Sequence, residues 1–171
     1  MNKILVPVDL SSATAQVCMA AAELAQSMDA QLLILHVIAP LPSTISGYDV
    51  FNPYQVTAFR RAFRRAAGRK MKALGRWFKK RCPSTDTVIH EGKPAGEILR
   101  LARQEKMDYI VIGSHRHGAM HDLLIGSTAH LVLRQSPCPV VLVPIPSGTG
   151  KVQDSAARKE YLDDWTKQRI D

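Results

Sequence analysis

The sequence predicts an α/β fold: an open, five-stranded parallel sheet with helices on both faces, followed by a short C-terminal helical tail. Three observations carry this. Short apolar runs alternate along the chain with segments of helical periodicity, in the order β-α-β-α-β-α-β-α-β. Runs such as KILVPV and QLLILHV are apolar nearly throughout, as strands covered on both faces are. After the fourth run a loop opens at Gly113 and meets Gly126-Ser127-Thr128 at a helix start, the position where such folds bind ligands.

Lys3–Val8 is the first strand, ending at Pro7 and Asp9. Ser11 and Ser12 offer an N-cap for a helix reaching Met28, with Val17, Ala20, Ala21, Leu24 and Met28 inward. Gln31–Val37 is the second strand. Residues 38–53 hold three prolines and a glycine and read as a loop. Gln55–Arg81 is a long helix with Phe59, Ala62, Phe63, Ala66, Met71, Leu74, Trp77 and Phe78 along one buried stripe. Thr85–His90 is the third strand, and Pro94 suits the first position of the next helix, which reaches Glu105. Met107–Ile112, Ser127–Arg134 and Pro139–Val143 are the fourth strand, fourth helix and fifth strand. Crossovers between parallel strands are right-handed. After Pro144 the pattern stops. The expected division is a domain over residues 1–144, then a linker and amphipathic tail over 145–171, with Ala157, Tyr161, Leu162 and Trp165 at helical spacing.

Composition narrows the class. With 46% hydrophobic residues, a chain of 171 residues can bury one sizeable core. No apolar run approaches the ~18 residues of a membrane span. Pro7 and Asp9 interrupt the apolar start, which argues against a signal peptide. Cys18, Cys82 and Cys138 are odd in number and widely spaced, and read as reduced thiols of a cytoplasmic protein. Net charge is +8, and Arg60–Arg81 alone carries eleven Lys/Arg and no acid. That helix is either a solvated face or a surface for an anionic partner: nucleic acid, an anionic membrane or another polyanion. Its aromatics fall on the stripe expected to be buried, which weakens base stacking.

The loop and helix start between Gly113 and Thr128 offer backbone N–H groups without internal partners, at the positive end of a helix dipole. A phosphate suits them. The stretches KILVPVDLS, HEGKPAGEIL and GSHRHGAMHDLLIGSTAHLVLRQSPCPVVLVP, in that order, resemble the universal stress protein family. The family's phosphate pattern is Gly, two residues, Gly, nine residues, Gly, then Ser or Thr; Gly113, Gly126 and Ser127 fall in register, and Arg116 stands at the middle glycine. The resemblance implies strand order 3-2-1-4-5, which makes strands one and four neighbours and brings Asp9 and Gly113 to one crevice. It implies ATP or AMP as ligand, with Mg²⁺ accompanying ATP. Asp9 would contact the adenine, Pro7 and Val8 would lie against the ring, and the Val37 backbone would touch the base. Gly113, Ser114, His115, Arg116, Gly126, Ser127 and Thr128 would surround ribose and phosphates. It also implies a homodimer through antiparallel pairing of strand 139–143, otherwise an exposed apolar edge.

Two readings of Arg116 stay open. Its side chain removes the room a glycine leaves for phosphate, or its guanidinium pairs with phosphate. Family members that bind no nucleotide lack the glycine pattern, so a nucleotide-free dimeric interaction protein is the alternative function. His115, His117, His121 and His130 lie within sixteen residues, but no cysteine or carboxylate set completes a tetrahedral metal site with them. SGTGK at 147–151 lacks the first glycine and the closing Ser/Thr of a P-loop. No nucleophile–base constellation appears, so slow ATP hydrolysis is the most the sequence offers.

Overall fold

The computed structural model describes residues 1–40, 53–114 and 125–145. The elements are β1 (Lys3–Val8), α1 (Thr14–Met28), β2 (Gln31–Ile38), α2 (Pro53–Lys79), β3 (Thr85–Glu91), α3 (Pro94–Gln104), β4 (Tyr109–Gly113), α4 (Ser127–Gln135) and β5 (Val140–Val143). The strands form one sheet in the order β3-β2-β1-β4-β5, and every neighbouring pair is parallel. The order reverses between β1 and β4, so their carboxyl ends diverge and leave a crevice.

Each strand divides its side chains between two cores, because successive residues point to opposite faces. Ile4, Val6, Leu32, Ile34 and Val111 face α1 and α2, meeting Val17, Ala21, Met71, Leu74 and Phe78. Leu5, Leu35, Ile110 and Ile112 face α3 and α4, meeting Ile98, Leu101, Ala102, Ala129 and Val132. Burying apolar surface on both faces is what selects continuous apolar strands.

Two local expectations are corrected. Neither Ser11 nor Ser12 is the N-cap of α1. The cap is Ala13, with no side-chain bond. The turn is instead tied from upstream: Asp9 Oδ1 accepts from the Ser11 amide at 2.9 Å, and Ser11 Oγ accepts from the Ala13 amide at 3.2 Å. Leu10 takes a left-handed φ of 60° to make this turn, a conformation non-glycine residues adopt at a cost.

The stripe of α2 is not buried throughout, and the side chain of Phe59 lies outside the described residues. Met71, Leu74, Trp77 and Phe78 lie in the core, but Ala62 is exposed and Phe63 is 57% exposed. Lengths explain this. A helix of 27 residues spans about 40 Å, whereas the seven residues of β3 span about 23 Å. The first turns of α2 therefore run past the sheet that covers the rest.

Candidate functional site

A cavity of about 800 Å³ opens at the carboxyl ends of the strands. Pro7, Val8 and Asp9 reach it from β1, Leu35 and Val37 from β2, and Ile112 and Gly113 from β4. Ile125 to Leu131 line it from α4 and the residues before it, Pro94 and Ile98 from α3, and Ala13, Thr14 and Val17 from α1. The wall is largely apolar and its polar groups stand apart, the usual constitution of a small-molecule site.

The polar groups have separate origins. Asp9 extends β1 and is exposed, with its carboxylate turned back onto the Ser11 amide. The β1 end is further held by His36 of β2, whose Nδ1 lies 2.9 Å from the Val8 carbonyl and donates to it. On another wall, α4 begins at Ser127 with Gly126 as cap and no side-chain cap. The His130 amide donates to the Gly126 carbonyl at 2.9 Å, the first intrahelical bond. The amides of Ser127, Thr128 and Ala129 precede that bond, so α4 presents N–H groups and the positive end of its dipole to the cavity.

Pro7, Val8, Asp9, Val37, Gly113, Gly126, Ser127 and Thr128 thus come together at one cavity. Ser114 does not. Its amide donates to the Val143 carbonyl at 2.9 Å and its Oγ accepts from the Ile145 amide at 3.0 Å, so it ties β4 to the exit of β5. His115 and Arg116 lie outside the described residues, as do His117, His121, the P-loop-like 147–151 and the tail helix.

Gly113 carries a packing constraint of its own. A Cβ built on it would lie 2.9 Å from Val17 Cγ2 and 3.4 Å from Ile145 Cγ1, so α1 approaches β4 closely only because no side chain intervenes. Gly126 has φ −59° and ψ 150°, which any residue can adopt.

Thr14, Pro94 and Ile98 also line the cavity, as does His130. Pro94 and Ile98 are four apart on α3, so a helix aimed at the crevice by HEGKPAGEIL would place both on one face. Thr14 gives no comparable signal, because a threonine at a helix start reads as local structure.

The basic residues of α2 do not touch the cavity. Arg61, Arg65 and Arg69 recur every fourth residue and are exposed, while Arg64 pairs with Glu91 and Lys79 with Asp86, the latter at 3.4 Å. On β3 and α3, Glu97 bonds Arg100 and lies 3.0 Å from His90 Nδ1. The Arg100 hydrogen bond holds the Glu97 carboxyl below the usual carboxylate range; burial opposes it, and the Arg100 charge and then His90 add to the lowering. Cys18, Cys82 and Cys138 are free thiols. Burial pushes Cys18 far above the ordinary thiol range and Cys138 upward. Among the described residues no group of three or more His, Cys, Asp or Glu could hold a metal, and no helix is long and apolar enough to cross a membrane.

Comparison with known proteins gives this arrangement its family. A universal stress protein of Thermus aquaticus is 34% identical over 119 residues, covering 70% of this chain and 81% of that protein. The solved universal stress protein UspA of Lactobacillus plantarum superposes with a TM-score of 0.69 at 27% identity, over 83% of this chain and 97% of that one. The universal stress protein of Archaeoglobus fulgidus solved in complex with dAMP shares the fold with a TM-score of 0.57 at 19% identity, over 83% of this chain and 97% of that one. The model of the universal stress protein family matches residues 1–144. With its strand order, its crevice and this match in agreement, the chain belongs to the universal stress protein family of stress-response proteins.

Proposed function

We propose that this protein binds an adenine nucleotide, ATP or AMP, in the cavity between β1 and β4, and acts as a cytoplasmic homodimer. The observation that carries the nucleotide is the distribution of polar groups. A carboxylate, Asp9, stands on the β1 wall, with Pro7, Val8 and Val37 lining the same cavity, and the first amides of α4 reach it from another wall. That suits a ligand with an aromatic amine at one end and an anion at the other. Adenine would lie on the Pro7–Val8 side with its exocyclic amine toward Asp9, ribose over Gly113, and phosphates toward Ser127 and Thr128. The dAMP complex of the Archaeoglobus fulgidus relative supports the ligand class. Mg²⁺ accompanying ATP would be borne by the phosphates. The family resemblance would add His115 and Arg116 to the phosphate end.

The dimer reading rests on an apolar edge. Val141 on β5, the last strand of the sheet, is 39% exposed. Antiparallel pairing of β5 with its copy would cover that edge. The domain would comprise residues 1–144, with 145–171 as linker and tail. A second reading adds an anionic partner on α2, favoured by the exposed row of Arg61, Arg65 and Arg69.

Mass spectrometry of the denatured purified protein tests the nucleotide, and light scattering tests the dimer. Released AMP or ATP and a two-chain mass are expected. A strictly monomeric mass at micromolar concentration overturns the dimer.

A further inference from the structure

Thr14 is the first residue of α1 and a wall residue of the cavity. It is 2% exposed, and it is one of two buried polar or charged residues among those described. Its Oγ1 has no hydrogen-bond partner. A threonine in a helix ordinarily returns its hydroxyl to a carbonyl three or four residues back. Thr14 does not bond Leu10 or Ser11 in this way; the Ser11 carbonyl takes the Thr14 amide instead, at 3.2 Å. A buried hydroxyl without a partner destabilises the free protein, and here it stands in the wall of a cavity where a ligand could relieve it.

Its place in the fold says which part of a ligand it meets. α1 packs on the Ile4, Val6 and Val111 face of the sheet, and α4 on the Leu5, Ile110 and Ile112 face. The α4 amides therefore approach the cavity from the opposite side. Val17, three residues after Thr14 and on the same helix face, is the residue that Gly113 packs against. Thr14 thus stands on the α1 side of the cavity, across the sheet from the α4 amides. One staggered step about χ1 exchanges Oγ1 with Cγ2, so a bound group can draw the hydroxyl toward itself.

We propose that Thr14 is a ligand-contact residue whose hydroxyl hydrogen-bonds a sugar hydroxyl of the bound nucleotide. The inference rests on the nucleotide reading above and adds the element that recognises the sugar. The free protein carries the unpaired hydroxyl, and ligand binding pairs it.

The test is calorimetry of AMP, 2′-deoxy-AMP and 3′-deoxy-AMP with the full chain, as wild type, Thr14→Val and Thr14→Ser, together with melting of each ligand-free protein. Thr14→Val keeps the shape and removes the hydroxyl. It should weaken AMP about five- to tenfold and leave the ligand-free melting temperature unchanged or about 2–4 °C higher. Thr14→Ser should restore most of the AMP affinity. With one of the two deoxy-nucleotides, Thr14→Val and wild type should bind alike, because the partner hydroxyl is already missing. Equal AMP binding by wild type and Thr14→Val overturns the inference alone, as does a penalty that persists on both deoxy-nucleotides. A ligand-free Thr14→Val that melts well below wild type also overturns it, by showing that the hydroxyl has a partner without ligand. A wild type that binds no adenine nucleotide overturns the nucleotide reading and this inference with it.

Discussion

The carboxylate of Asp9 accepts a hydrogen bond from the amide of Ser11 at 2.9 Å. The residue proposed to read the base therefore also shapes the turn from β1 into α1. Truncation would confuse the two roles. Asp9→Asn separates them, because its amide oxygen still accepts from Ser11 while its NH₂ opposes an adenine amine. Loss of one charge-assisted bond should weaken ATP about 10- to 150-fold, with a melting temperature close to wild type. Calorimetry and a thermal melt on the same sample check both halves.

Gly113 is held against Val17 by α1 packing, and this predicts a stability effect independent of any ligand. Gly113→Ala should cost about 1–3 kcal/mol, the range for forcing an extra carbon into a packed site. Val17 is stiff at χ1 and yields little. Val17→Ala in the same chain should recover part of the loss, and urea unfolding of the two single variants and the double variant measures the coupling.

The Glu97–Arg100 bond predicts a signed pH effect. The Glu97 carboxyl is held low in the folded protein, chiefly by the Arg100 hydrogen bond. Its contribution is therefore complete above the unfolded carboxylate range and lost as pH falls through the lower folded value. Glu97→Gln should be less stable than wild type near neutrality. The difference should shrink as the pH falls below about 4. Melting temperatures of both proteins across that range give the comparison.

The tail prediction concerns the boundary. Gln16 Nε2 donates to the Pro144 carbonyl at 2.8 Å, and Ile145 packs on the core and donates to Ser114. The body thus holds the chain to Ile145, and deletion of 148–171 should leave a single cooperative melt. A chain that no longer folds would place the tail in the core.

The sheet was legible because its strands are buried on both faces, which leaves apolar runs in KILVPV and QLLILHV that nothing else explains. Asp9, Val37 and the Gly126–Thr128 turn were legible as strand ends and a helix start. What escaped depends on lengths and distant neighbours. The overhang of α2, which exposes Phe63, follows from a helix longer than the strand beneath it, and periodicity alone reports only an apolar face. The constraint on Gly113 comes from Val17, almost a hundred positions away in the chain, so the glycine reads locally as loop chemistry alone. Thr14 is a polar residue at a helix start until the fold puts it in a cavity wall.

The central claim is nucleotide binding at the β1–β4 crevice, and titration calorimetry of ATP and AMP into the nucleotide-stripped wild-type protein tests it most directly. One adenine nucleotide bound per chain, weakened by Asp9→Asn in a protein that still melts like wild type, is the result the geometry predicts. No binding of ATP or AMP by the folded wild type would contradict it and leave a nucleotide-free interaction protein of the same fold.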